Sequence, residues 1–82
     1  MRYLLSKQAV KTLKGLTRRV AENIITAIEK LPEKGDTRQL KGKRTLPLWR
    51  LRVGKYRIIY QRSESETRIL KIDTRGDVYK NL

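Results

Sequence analysis

The sequence predicts an α+β fold in which a pair of helices covers one face of a largely antiparallel sheet. Apolar residues recur at helical spacing as far as residue 31, and apolar and polar residues alternate from residue 48 onward around a two-residue turn signal. Helices that precede a run of strands are typical of α+β domains. A chain of 82 residues can bury one modest core, so we expect a single domain over residues 1–82.

The first predicted elements are a strand and two helices. Residues 2–5 form a short apolar run that fits an edge strand, and Ser6 follows as a helix N-cap. Gly15 ends the first helix, and a second apolar stripe begins near Thr17 and stops before Pro32. The stripe consists of Val20, Ala21, Ile24, Ala27, Ile28 and Leu31. Together the two segments predict a helical hairpin with one apolar side to bury.

The remaining sequence predicts a short strand within a loop, followed by a three-strand meander. The loop covers residues 37–47 and contains Leu40 as a residue to be buried. Gly54 and Lys55 fit a two-residue type II′ turn, because glycine is favoured at its first central position. The third strand of the meander covers residues 67–74.

This turn fixes a register that sorts the side chains onto two faces. Arg52 then lies opposite Arg57 and Leu51 opposite Ile58, with side chains alternating across the sheet. The core face is expected to collect Trp49, Leu51, Val53, Tyr56, Ile58 and Tyr60. The opposite face is expected to collect Arg50, Arg52, Arg57 and Ile59. On the third strand, Leu70 and Ile72 are expected to point toward the core, and Ile69, Lys71, Asp73 and Arg75 away from it.

The charge of the chain indicates a polyanionic partner. The chain has 21 Lys and Arg against 8 Asp and Glu, a net charge of +13, which favours nucleic acid first and an anionic membrane or acidic protein second. The segment between Asp36 and Glu64 contains no acidic residue. Its basic residues are Arg38, Lys41, Lys43, Arg44, Arg50, Arg52, Lys55, Arg57 and Arg62. A surface that needed only solubility would mix both signs. The alternative, that the arginines simply form a solvent-exposed face, stays open.

Composition also excludes several classes of protein. Without cysteine or histidine, neither disulfides nor the usual metal sites have their residues, so we expect no metal and no cofactor. No apolar stretch reaches the length of a signal peptide or the roughly 20 residues of a membrane span, which favours a cytoplasmic protein. Arginine clusters suit phosphate, because each guanidinium donates paired hydrogen bonds and keeps its charge.

Three segments resemble one protein family. LKG at residues 40–42, LWRLRVGKYRIIYQ at residues 48–61 and RGDVYK at residues 75–80 are similar to the RelE/ParE superfamily of type II toxin–antitoxin toxins. The resemblance implies a microbial-ribonuclease-like α+β fold. RelE-like toxins cut messenger RNA in the ribosomal A site by driving the ribose 2′-hydroxyl onto the adjacent phosphate, whereas ParE-like toxins inhibit DNA gyrase.

The RelE pattern also implies roles for single residues. Arg57 would bind the scissile phosphate, Arg75 would stabilise charge, and Tyr79 would stack on a base or handle a proton. Arg50 and Arg52 occupy positions that are commonly lysine in that branch, and an arginine cannot serve as a general base. Several relatives carry a histidine where this chain has Thr74. Tyr79 is therefore the preferred base, with Lys71 as the other candidate. Further RNA and phosphate contacts are expected from Arg50, Arg52, Lys41, Lys43, Arg44, Lys55 and Lys71.

The resemblance implies the partners as well. They are a cognate antitoxin, small and acidic, together with the ribosome and messenger RNA, and no membrane. The function it implies is ribosome-dependent endoribonuclease activity. The alternatives are a ParE-like gyrase inhibitor without nuclease activity and a non-catalytic basic RNA-binding module. The short segment after Tyr79 favours the RNA-cleaving branch slightly.

Overall fold

The protein is an α+β domain with its helices on one side of a sheet. The computed structural model describes residues 2–31, 36–40 and 47–74. Within these ranges the elements are β1 (Arg2–Leu5), α1 (Lys7–Lys14), α2 (Arg18–Glu29), β2 (Asp36–Gln39), β3 (Trp49–Val53), β4 (Tyr56–Arg62) and β5 (Glu66–Asp73). The strands form a five-stranded sheet in the order β1-β5-β4-β3-β2. Neighbouring strands are antiparallel except β1 and β5, which are parallel. The predicted fold class is confirmed, with β1 at one edge.

Both helices begin at a hydroxyl N-cap, which was predicted for Ser6 and is found at Thr17 as well. The Ser6 hydroxyl accepts a hydrogen bond from the Ala9 amide at 3.1 Å, and the Thr17 hydroxyl accepts one from the Val20 amide at 3.4 Å. These bonds satisfy amides that have no partner within the first turn of a helix. Gly15 caps the end of α1, where the chain turns into the second helix. The predicted helical hairpin is therefore present.

The link from β1 to α1 continues the pairing along β5. The amide of Ser6 donates to the carbonyl of Ile69 at 2.9 Å, and its hydroxyl donates to the carbonyl of Leu70 at 2.6 Å. Two residues further, the Gln8 amide group donates to the Ile72 carbonyl at 3.2 Å and accepts from the Ile72 amide at 3.1 Å. Because β1 stops at Leu5, the Gln8 side chain takes the place of a further strand residue beside β5.

The main core lies between the helices and the sheet. Its buried members are Ala9, Ile24, Ile28, Leu31, Leu51, Ile58, Tyr60, Ile69 and Ile72. The β3–β4 register matches the prediction, with Leu51 opposite Ile58 and Arg52 opposite Arg57. Gly54 has a φ of 59°, a left-handed value that glycine adopts at little cost and that the tight turn requires.

A β-bulge in β5 overturns part of the prediction. Ile59 pairs with Lys71 and Tyr60 pairs with Ile69, which leaves Leu70 as an extra residue. The alternation therefore shifts by one position, and Ile69 rather than Leu70 enters the main core. Leu70 packs instead in a second apolar cluster, made of Leu40, Leu48, Ile59 and Leu70. Both assignments at residues 69 and 70 were wrong, whereas Ile72 lies in the core as predicted.

Candidate nucleic-acid interface

The sheet face opposite the helices carries four arginines, which we name the arginine face: Arg38, Arg50, Arg52 and Arg57. In the strand register, Arg38 pairs with Arg50 and Arg52 pairs with Arg57. Residues directly opposite each other on neighbouring strands share a face, so each pair places two like charges side by side. The predicted face therefore extends onto β2.

These residues form two rows across the sheet. The first row contains Arg52 and Arg57, and it is flanked by Asp36 on β2 and by Asp73 on β5. The second row contains Arg38 and Arg50 and continues with Ile59 and Lys71. Rows two residues apart along a strand are separated by about 7 Å.

Three of the four guanidinium groups are available to an external anion. Within residues 2–31, 36–40 and 47–74, the side chains of Arg38, Arg52 and Arg57 form no salt bridge or hydrogen bond. Arg38 and Arg52 are exposed, and Arg57 is half-buried. The Asp73 carboxylate, which faces Arg57 across the strands, accepts a hydrogen bond from the Thr74 amide at 2.7 Å.

Arginines elsewhere in the chain behave differently. Arg18 forms a salt bridge with Glu22 at 3.0 Å, and Arg68 forms one with Glu66 at 3.0 Å. Such surface pairs contribute little to stability, but they neutralise the charge locally. The arginine face has no comparable pairing of Arg38, Arg52 or Arg57 in the described part of the chain.

The second apolar cluster borders the arginine face. Ile59 is completely buried and Leu48 is 4% exposed, although both belong to the side of the sheet away from the helices. The Nε atom of Arg50 is buried as well. A low-polarity border of this kind strengthens the attraction between a guanidinium group and a phosphate, because water screens the charges less there.

The described aromatic residues lie on the helix side of the sheet. Tyr3, Trp49, Tyr56 and Tyr60 all belong to the main core or pack against it. Within the described residues, therefore, no aromatic ring offers a base-stacking platform on the arginine face, a feature that sequence-tolerant RNA binders favour.

Two basic side chains stack on these aromatic rings. The Lys55 ammonium is 5.7 Å from the centre of the Tyr56 ring, and the Arg62 guanidinium carbon is 4.0 Å from the centre of the Trp49 ring. Lys55, a predicted phosphate contact, is thus placed at the hairpin turn beside a helix-side tyrosine rather than with the arginines.

The other predicted site residues divide into two groups. Lys71 lies in the second row, opposite Ile59. The rest fall outside the described residues: Lys41, Lys43, Arg44, Arg75 and Tyr79. In the described ranges, no three His, Cys, Asp or Glu side chains are grouped to hold a metal ion, and no helix there is long and apolar enough to cross a membrane.

Arg38 is the residue that sequence reasoning missed. The basic run includes Arg38, but the sequence predicts only a loop around a short strand in this segment, with no register that would give the side chain a face. The β2–β3 register places it opposite Arg50. The available signal was the alternation of Arg38 with Thr37 and Gln39 in a segment already expected to contain a short strand.

Comparison with known proteins supports the family resemblance. Residues 3–79 match the family model described as the ParE toxin of the type II toxin–antitoxin system parDE. The chain belongs to the RelE/ParE toxin superfamily. A search of curated proteins gives no match. The family match makes this protein a type II toxin but does not separate the RelE branch from the ParE branch.

Solved RelE structures resemble this toxin along nearly the whole chain. The archaeal RelE–RelB complex of Pyrococcus horikoshii OT3 contains a chain 34% identical, with a TM-score of 0.73 over 92% of this chain and 94% of that one. The RelB–RelE complex of Methanococcus jannaschii has 27% identity and a TM-score of 0.72 over 93% and 94%. The RelBE2 complex of Mycobacterium tuberculosis, at 20% identity and a TM-score of 0.62 over 90% and 96%, shares the fold.

Proposed function

We propose that this toxin is a ribosome-dependent endoribonuclease that cleaves messenger RNA in the ribosomal A site and thereby blocks translation. The observation that carries the proposal is the pairing of Arg52 with Arg57 on the sheet face opposite the helices, with no partner for either guanidinium in the described residues. Two like charges held side by side destabilise the hairpin by about 0.2–1 kcal/mol. A bound phosphate would relieve that repulsion.

The proposed reaction needs charge stabilisation more than any other contribution. The ribose 2′-oxygen attacks the adjacent phosphorus, the bond from phosphorus to the 5′-oxygen breaks, and a 2′,3′-cyclic phosphate and a 5′-hydroxyl result. Arg57 binds the scissile phosphate and stabilises the negative charge that develops on its oxygens. Arg75 adds to that stabilisation, and Arg50 and Arg52 orient the RNA for in-line attack.

Proton transfer falls to residues other than arginine. The 2′-hydroxyl loses a proton and the 5′-oxygen gains one, and a guanidinium group does not exchange protons near neutral pH. Tyr79 is the proposed base, as the RelE pattern implies, and the net positive charge of the chain favours a phenolate. Lys71, in the second row opposite Ile59, is the other candidate. A weak base accelerates the reaction only slightly. The ribosome would compensate by aligning the 2′-hydroxyl with the scissile phosphate.

The proposed partners follow from the same surface. The solved neighbours are complexes of RelE with RelB antitoxins. We infer a small acidic antitoxin for this toxin, which would cover the arginine face and would bind quickly because of the high positive charge. Because the proposed substrate is messenger RNA on the translating ribosome, we expect the toxin to act in the cytoplasm.

A second candidate function is inhibition of DNA gyrase. The matching family model describes ParE toxins, which favours this alternative directly. In that case the arginine face would bind protein or DNA without cutting RNA. Messenger RNA would stay intact while gyrase-linked DNA breaks accumulated.

Mapping of RNA ends in a translating extract separates the two candidates. The purified toxin is added to the extract, and the ends of a reporter transcript are determined with and without active ribosomes. We expect new 5′-hydroxyl ends paired with 2′,3′-cyclic or 3′-phosphate ends, at codon-sized spacing, only while ribosomes translate. Intact transcripts in an extract whose translation has stopped would reject the nuclease, and a parallel supercoiling assay with gyrase would then test the alternative.

A further inference from the structure

Arg38 extends the arginine face beyond the residues that the RelE pattern identifies. It is exposed on β2, directly opposite Arg50. In the described part of the chain its guanidinium has neither a salt bridge nor a hydrogen bond. Arg38 therefore adds a further cation, without a partner in the described residues, to the face that carries Arg52 and Arg57.

The distance between the two rows suits a nucleic-acid strand. Arg50 and Arg52 are two residues apart on β3, which separates the rows by about 7 Å. Neighbouring phosphates along an RNA strand have a separation of the same order. An RNA backbone that lies along β3 would therefore bring one phosphate to each row.

The charges at the ends of the rows fix the direction of that strand. Across the sheet, the first row ends at an acidic residue on both sides, Asp36 on β2 and Asp73 on β5, and the Asp73 carboxylate repels phosphate. The second row passes on β4 through the buried side chain of Ile59, which offers no hydrogen bond. Along β3, by contrast, the path from Arg52 leads to Arg50, and Arg38 lies beside Arg50 on β2.

We propose that the arginine face binds two consecutive phosphates of single-stranded RNA, one at the Arg52 and Arg57 row and the next at Arg38. This inference rests on the proposed function, since it assigns the first row to the scissile phosphate. Arg38 acts as a positioning residue that holds the backbone on one side of the reacting bond. It contributes to binding rather than to the chemical step.

The test measures binding to uncleavable RNA of two lengths. The probes are 2′-O-methyl oligouridylates, a dinucleotide with one phosphate and a pentanucleotide with four, titrated into the full-length protein and followed by NMR. We expect Arg57→Ala to weaken the binding of both probes. Arg38→Ala should weaken only the longer probe, by about three- to tenfold, and lower its salt-dependence slope by about 0.7, as expected for one lost phosphate contact.

Arg19→Ala is the matched control. Arg19 is exposed on α2, and the substitution removes the same charge from the helix side of the sheet. The inference is overturned if Arg38→Ala and Arg19→Ala give equal affinities, if Arg38→Ala weakens both probes equally, or if the wild-type toxin binds neither probe. If the expected binding pattern is found but no RNA is cleaved in extract, the proposed nuclease activity is rejected and the second phosphate site is retained. Cleavage with no specific effect of Arg38→Ala would reject the second phosphate site alone.

Discussion

The two faces of the β3–β4 hairpin consist of alternate residues of the same strands, yet they differ in almost every physical property. On the helix face, Leu51, Ile58 and Tyr60 are fully buried in the main core. On the opposite face, Arg52 and Arg57 stand side by side without partners in the described residues. One hairpin thus holds the domain together with one set of side chains and presents cations with the other.

Because the two faces differ in this way, substitutions can alter stability and function separately. Burial of a large apolar side chain stabilises a protein by roughly 1.5–3 kcal/mol, whereas a cross-strand pair of like charges destabilises it by about 0.2–1 kcal/mol. Substitutions on the helix face should therefore act on folding. Substitutions on the arginine face should act on binding and leave folding intact or improved.

The largest effect on stability is expected at Ile58. Ile58→Ala should lower the free energy of unfolding by about 3–5 kcal/mol, because it opens a cavity in the main core. Ile59 is equally buried, but it packs in the smaller second cluster, where neighbours can close a cavity more easily. Ile59→Ala should cost less, about 2–3 kcal/mol. Urea unfolding of both variants checks this order, and a larger loss at Ile59 would contradict the division into a main and a secondary core.

A smaller effect is expected at Gln8, which joins α1 to β5. Gln8→Ala removes both hydrogen bonds to the backbone of Ile72 and should cost about 1–2 kcal/mol. Amide exchange at Ile72 should become faster at the same time, since its amide loses its acceptor. Lys7→Ala, an exposed change on the same helix, serves as the control. Unchanged exchange at Ile72 would show that the Gln8 side chain does not hold β5.

A buried tyrosine on the helix face predicts that the free energy of unfolding depends on pH in the alkaline range. Burial raises the pKa of the Tyr60 hydroxyl above 10.0, opposed in part by the positive charge of Arg62 and by the nearby Thr37 side chain. A raised pKa keeps the folded form neutral when the unfolded form ionises, so stability is complete below about pH 10 and falls above it, by at most about 1.4 kcal/mol per pH unit. Tyr60→Phe should flatten this fall in urea unfolding at pH 9 to 11. An unchanged slope would exclude Tyr60 as its source.

The smallest effect has the opposite sign and belongs to the arginine face. Arg52→Gln should raise the free energy of unfolding by about 0.2–1 kcal/mol, because it removes the repulsion with Arg57. RNA binding should weaken in the same variant. Arg19→Gln, on α2, removes a charge without this neighbour and should leave stability nearly unchanged. Loss of stability in Arg52→Gln would mean that the two arginines do not repel each other in the folded protein.

Most of the fold could be predicted because its signals are local. Caps at Ser6 and Thr17, the apolar stripe of α2 and the turn at Gly54 each depend on residues close in sequence. The bulge at Leu70 could not be predicted in this way. It depends on how β5 fits against β4 and β1 together, and an apolar pair such as Ile69 and Leu70 can bury either member.

The part of the candidate site that lies on the β3–β4 hairpin could be predicted, because side chains alternate regularly between the two faces there. Arg50, Arg52 and Arg57 were assigned to one face from the turn register alone, and the structure has that register. Arg38 needed the pairing of β2 with β3, a contact across a loop whose sequence carries no register signal. The roles of Arg75 and Tyr79 stay predictions from the family resemblance.

We propose that the arginine face performs the chemistry while the helix face maintains the fold. Arg57→Ala separates these two roles. Cleavage of a translated messenger RNA and urea unfolding are measured on the same preparations of the wild-type and variant toxins. We predict that cleavage falls by about 10²–10³-fold, as expected for the loss of a main phosphate donor, while the free energy of unfolding is unchanged or slightly higher. Cleavage at the wild-type rate, or a loss of cleavage matched by unfolding of the variant, would contradict it.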